Sequence, residues 1–193
     1  MARNGFGNWS KTAAGKADSR GAAKPYRPSH VTVTRRLRSR FTVRLWSVRH
    51  ADVLEKVYAR FSAVFLRLHP LWLRIGYDRA EAPVKAVERR VKGLLFDCRM
   101  CGQCILSATG MSCPMNCPKR LRNGPCGGVR ADGFCEVEPD MPCVWVQAWE
   151  GSRRMTGGDA ILALQGPVDH SLRETSAWLR MTAEAAQQTA TSA

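Results

Sequence analysis

The sequence predicts a small α+β protein with an irregular, cysteine-rich, metal-stapled domain and a disordered basic tail. Three observations support this fold class. All eight cysteines lie between Cys98 and Cys143, two stretches before them carry apolar residues at helical spacing, and the first 30 residues are rich in Gly, Ala, Ser, Lys and Arg. We therefore divide the chain into the tail (1–30), a strand-like and helical region (31–97), the cysteine-rich domain (98–150) and a C-terminal extension (151–193).

The net charge of +14 is concentrated in the first half of the chain. Residues 1–50 contain 12 Lys and Arg but a single acidic residue, Asp18. Few aromatic residues accompany this Arg-rich stretch, which argues against a nucleic-acid partner. The sequence also lacks a signal-peptide apolar core and an apolar run of about 18 residues, so we expect a cytoplasmic protein without a membrane span.

Two amphipathic helices are predicted before the cysteines. Apolar residues recur at steps of three and four from Ala51 to a break near Pro70, and a second stripe follows Pro83 and ends at Phe96–Asp97. A third, C-terminal helix is predicted over residues 171–182. We expect the last ten residues, 184–193, to be frayed.

Two short segments are predicted as the β component. Residues 31–49 mix β-branched residues with arginines, which is typical of a short strand or an edge segment. Residues 144–146, with the sequence Val-Trp-Val, are predicted as a second short strand. Between them, frequent Gly and Pro residues leave no room for long regular elements.

The cysteines follow the pattern C-x2-C-x2-C-x8-C-P-x2-C-P-x7-C-x8-C-x7-C. The first three match the start of the bacterial ferredoxin run, and the C-x3-C-P ending also matches, although an eight-residue gap separates the two parts. This pattern favours one or two 4Fe-4S clusters, while zinc alone and redox thiols or disulfides stay open alternatives. The candidate metal ligands are Cys98, Cys101, Cys104, Cys113, Cys117, Cys126, Cys135 and Cys143.

By analogy with the ferredoxin C-P ligand, we group Cys98, Cys101 and Cys104 with Cys117. The other four cysteines would then form the second site. The basic residues Lys119, Arg120 and Arg122 either offset thiolate charge or form a solvated face. The four histidines, at positions 30, 50, 69 and 170, are all distant from the cysteines in sequence, and we expect none of them to bind the metal.

Several short motifs around the cysteines carry a family resemblance. The elements CGQC, the two CP pairs, NGPCGG, CEV and PCVW resemble the cysteine-rich C-terminal domain of methylenetetrahydrofolate reductases. The same domain also occurs as a small companion subunit of the short flavoprotein form. The later segment PVDHSLRETSAW is similar to the end of this domain, so the resemblance covers roughly residues 50–182.

The resemblance implies a flavin-containing methylenetetrahydrofolate reductase catalytic subunit as the partner. Such a subunit reduces 5,10-methylenetetrahydrofolate to 5-methyltetrahydrofolate, and the small subunit binds it and contributes a metal site. The chain itself lacks the repeated strand–helix units of a flavin barrel and a G-x-G-x-x-G turn, so we expect it not to be catalytic alone. Two roles stay open: an electron relay from a ferredoxin-like donor, or a zinc-stapled assembly module without redox function.

Overall fold

The computed structural model describes residues 41–191, and this part of the chain is mostly helical. The predicted disordered tail, 1–30, lies outside the described residues. Six α-helices occur within 41–191, and none is long and apolar enough to cross a membrane. They are α1 (Thr42–Arg49), α2 (Ala51–Arg67), α3 (His69–Ile75), α4 (Tyr77–Phe96), α5 (Val144–Ser152) and α6 (Ala177–Thr191).

The two predicted amphipathic helices are present. The first corresponds to α2, and Pro70 lies in the first turn of α3, where a missing backbone N–H costs little. The second corresponds to α4, which starts earlier than predicted and contains Pro83 inside the helix. Gly76, at a φ of +88°, separates α3 from α4.

Aromatic side chains pack α2 against α6. The ring centroid of Trp178 lies 4.7 Å from that of Phe61 and 6.1 Å from that of Phe65. These contacts join helices that are more than 100 residues apart in sequence, and α4 packs beside both α3 and α6. The helical region thus supports the cysteine-rich segment from one side.

The predicted β component is wrong where the structure describes it. Residues 42–49 form α1, because the buried side chains Arg44, Leu45 and Val48 follow a helical spacing and packing overrides the weak strand preference of the β-branched residues. Ser47 fixes α1 to α4 by donating a hydrogen bond of 2.7 Å to the carbonyl of Leu95. Residues 31–40 lie outside the described part.

The predicted strand at residues 144–146 is also wrong, since these residues start α5. A run of three apolar residues is too short to reveal its period, and only the later burial of Ala148 completes the helical face. In residues 41–191 the β structure consists of two isolated antiparallel bridges, Val129–Cys135 and Phe134–Pro142.

The C-terminal helix begins later and continues further than predicted. It starts at Ala177 and extends to Thr191, so the expected fraying from Glu184 is wrong up to that point. Ser176 Oγ accepts a hydrogen bond of 3.3 Å from the backbone N–H of Leu179, which caps the first turn. Residues 170–172 form a separate 3-10 turn.

Candidate metal centre

The cysteines of the chain line two separate pockets, with four in each. The first pocket is lined by Cys98, Cys101, Cys104 and Cys113. The second is lined by Cys117, Cys126, Cys135 and Cys143. All eight are free thiols in the structure. Compared with the grouping predicted from the ferredoxin pattern, Cys113 and Cys117 have exchanged places.

A short 3-10 turn, Pro114–Asn116, explains this exchange. It lies between the two cysteines, so that Cys113 packs with Phe96 while Cys117 packs beside Met141 in another apolar cluster. The side-chain amide of Asn116 donates a hydrogen bond of 2.8 Å to the carbonyl of Phe96 and anchors the turn. Spacing alone cannot show to which side such a turn directs each sulfur.

The first pocket is formed by the loop that follows α4. This loop contains two residues with positive φ, Met100 at 46° and Gly102 at 73°. The backbone N–H of Met100 donates to Cys98 Sγ over 3.4 Å, the type of contact that stabilises a sulfur ligand. Arg180 of α6 donates to the carbonyl of Gly102 through Nε at 3.1 Å and Nη2 at 2.8 Å, and thereby fixes the loop.

The thiols of the first pocket are difficult to ionise without a cation. Burial raises the pKa of both Cys98 and Cys113, and the other thiols of the pocket raise it further. The N–H of Met100 and the ammonium group of Lys92 only partly oppose this effect at Cys98. A bound metal deprotonates its cysteine ligands outright, so it would supply the missing positive charge.

The second pocket is formed by the bridged segment that leads into α5. The N–H of Cys135 donates to the carbonyl of Met141 at 2.9 Å, and the N–H of Cys143 to that of Gly133 at 3.0 Å. Cys143 directly precedes α5, and the positive end of a helix dipole favours a thiolate. At the more exposed side, Cys126 lies beside the ion pair between Lys119 and Glu136.

The donor chemistry of both pockets fits a thiolate-bound metal. Four cysteines are the usual ligand set of cubane iron–sulfur clusters and of one class of structural zinc site. Within residues 41–191, no group of three or more His, Cys, Asp or Glu side chains is already arranged to hold a metal ion. His50 stacks on Trp46, and His69 is hydrogen-bonded to Tyr77 at 2.7 Å. Neither histidine lines a cysteine pocket.

Charged residues of the first pocket were missed by the sequence analysis. Lys92 and Glu88 of α4 line it and form a buried ion pair of 2.6 Å. Burial would lower the pKa of Lys92, but the nearby Cys104 and the Glu88 carboxylate together raise it. The available signal was the pair of opposite charges four residues apart on the inner stripe of α4, which an apolar count ignores. Arg122 lines the same pocket.

A helical protein with two four-cysteine pockets is the class that the fold and the site define. Residues 77–171, which include every cysteine, match the family model described as methylene-tetrahydrofolate reductase C terminal, and this segment belongs to that family. The resemblance noted in the sequence is thereby confirmed. No curated protein and no solved structure gives a significant match to the chain.

Proposed function

We propose that the chain is a metal-binding companion subunit of a flavin-dependent methylenetetrahydrofolate reductase, with iron–sulfur clusters at its two cysteine pockets. The observation that carries this proposal is the division of the cysteines into two groups of four with none left over. Both groups lie inside the segment that matches the reductase C-terminal family. The family membership supports the choice of partner.

Iron–sulfur chemistry is favoured at the first pocket by its ligand loop. Three of its cysteines are spaced at intervals of three, as in ferredoxins. When bound, a cluster would supply one-electron transfer between a ferredoxin-like donor and the flavin of the catalytic subunit. The residues of this chain hold the sulfurs, direct the Met100 N–H to one of them and bury them against α4.

A zinc-stapled assembly module is the second candidate function. It is favoured by the second pocket, whose cysteines are separated by loops of seven and eight residues that suit a structural zinc site. In that case, zinc would hold residues 117–143 in shape for binding the same partner, without electron transfer.

Metal analysis of anaerobically purified protein distinguishes these two functions. We expect about four or eight irons per chain with equal acid-labile sulfide, together with a brown absorption spectrum. About one or two zinc ions per chain, with no iron and no colour, would contradict the iron–sulfur proposal and support the assembly module.

A reconstitution experiment tests the relay. We expect Cys101→Ser to abolish reductase activity driven by a ferredoxin-type donor, while the subunit still co-purifies with the flavoprotein. Activity of the catalytic subunit with an artificial dye serves as the control, because it bypasses the proposed route. Full ferredoxin-driven activity of the Cys101→Ser complex would overturn the relay and leave a structural role.

A further inference from the structure

The first cysteine pocket contains two cationic side chains in addition to its thiols. Lys92 is only 3% exposed. The Nε and Nη1 atoms of Arg122 are buried, and among residues 41–191 they have no hydrogen-bond partner. Buried N–H groups without a partner are costly and rare in folded proteins. Their position on this pocket indicates that it accommodates negative charge.

The positive charge of Lys92 is available to the pocket because its partner Glu88 is satisfied from another side. Glu88 Oε2 accepts hydrogen bonds from Ser176 Oγ at 2.7 Å and from the N–H of Trp178 at 3.4 Å, at the start of α6. The positive end of the α6 dipole stabilises this carboxylate. The ammonium group of Lys92 in turn lies 5.2 Å from the centroid of the Trp178 ring, which fixes its position.

Arg122 is fixed through its two chain neighbours. The carbonyl of Leu121 accepts a hydrogen bond of 3.1 Å from the indole N–H of Trp145. Asn123 exchanges two hydrogen bonds with the backbone of Gln165, at 2.9 and 2.7 Å. The backbone is thus anchored on both sides of Arg122, which keeps its guanidinium group at the pocket.

The second pocket has a different charge balance. Its lining includes one cation, Lys119, whose ammonium group is paired with Glu136. Both of these side chains are 42% exposed, so solvent and the carboxylate screen the charge. The buried positive charge is concentrated at the first pocket.

We propose that Lys92 and Arg122 are the counter-charges of a metal–thiolate group at the first cysteine pocket, and that they make its reduction potential higher than that of the second. This inference rests on the proposed iron–sulfur function. A group held by four thiolates is net negative and becomes more negative on reduction, so buried cations favour its reduced form. In a relay, this asymmetry makes the first pocket the preferred place for the first electron.

The test is a reductive titration of the anaerobically purified full chain, followed by EPR. Arg122→Gln removes one charge without breaking a hydrogen bond described in the structure. Glu88→Gln combined with Lys92→Met removes the buried pair together, since Lys92→Met alone would leave Glu88 unpaired. The control is Arg89→Gln, which removes an equal charge from an exposed ion pair on the same helix, away from both pockets.

We expect Arg122→Gln to reduce the equilibrium constant for reducing one centre about tenfold, a drop of about 59 mV for a one-electron couple. The double variant should shift the same centre downwards, while the other centre and the Arg89→Gln protein stay unchanged. Unchanged potentials in all three proteins, with full iron content, would overturn the inference but leave the proposed function intact.

Protein that contains zinc and no iron would contradict the proposed function instead. The counter-charges are then assessed by chelator challenge of the zinc protein. The inference requires that Arg122→Gln releases zinc from one of the two sites several-fold faster than Arg89→Gln does. Equal release rates would overturn it.

Discussion

Gly102 shows how one residue constrains the first cysteine loop. Its φ of +73° is a conformation that residues with a side chain rarely adopt. A Cβ atom at this position would also overlap the carbonyl oxygen of Leu172 and the hydroxyl of Thr175. The loop between Cys101 and Cys104 can therefore approach the segment before α6 only if this residue is glycine.

We expect Gly102→Ala to release the metal of the first site while the second site stays loaded. The strained φ alone costs about 1–2 kcal/mol, and the overlap with backbone adds to it. Metal content per chain measures the effect. Gly127→Ala is the matched control, because a Cβ there meets nothing within 4 Å. Equal metal loss in both variants would contradict this role of Gly102.

At the scale of elements, α4 and α6 hold the first pocket between them. α4 supplies the buried pair of Glu88 and Lys92, and its end leads directly to Cys98. α6 supplies Arg180, whose guanidinium group donates two hydrogen bonds to the carbonyl of Gly102. A helix from the C-terminal extension thus completes a site whose ligands all lie within residues 98–113.

Replacing Arg180 tests this contribution of α6. Arg180→Met keeps much of the apolar stem but removes both hydrogen bonds, each made by a charged donor and worth about 1.5–3 kcal/mol. We expect faster loss of metal from the first site to a chelator, with α6 still folded by circular dichroism. Glu184→Gln is the control, since Glu184 pairs with Arg180 without contacting Gly102. A similar rate of metal loss in both variants would rule out the clamp.

The elements differ in how far the sequence could predict them. The apolar period of α2 spans 17 residues, long enough to be read directly. In α1 and α5, by contrast, the helical face depends on contacts with distant residues, such as the hydrogen bond from Ser47 to Leu95. Local strand propensity is weak against such packing, so both segments were assigned incorrectly.

The candidate site shows the same division. The residue types and their spacing identified all eight cysteines as a set, but their grouping depends on the turn at Pro114–Asn116. Lys92 and Arg122 approach the first pocket from outside the cysteine run or from a loop anchored by Trp145. These are tertiary contacts, and no local pattern encodes them.

At the scale of the whole molecule, the cysteine-rich segment depends on something other than regular structure. Between Cys98 and Cys143 the described chain contains only short 3-10 turns and isolated bridges. The helices, in contrast, are joined by aromatic packing between α2 and α6 that involves no cysteine. On this account, metal binding stabilises the first part much more than the second.

Metal removal should therefore loosen only one part of the molecule. We expect the chelated protein to keep most of its helical circular dichroism signal, while trypsin cleaves after Arg99, Arg120 or Arg130 at least about tenfold faster than in the metal-loaded protein. Arginines within α2 and α4, such as Arg60 and Arg90, provide internal controls and should stay protected. Equal cleavage of the segment with and without metal would contradict a stapling role.

The most direct test of the two-site account is the metal content of cysteine variants, taken singly and in pairs. If the pockets define the sites, Cys98→Ser and Cys113→Ser each remove the metal of one site, and their combination removes no more than either alone. Combining Cys98→Ser with Cys117→Ser should remove the metal of both sites. The opposite result, in which Cys117 falls into the group of Cys98 and Cys113 does not, would contradict the arrangement seen in the structure.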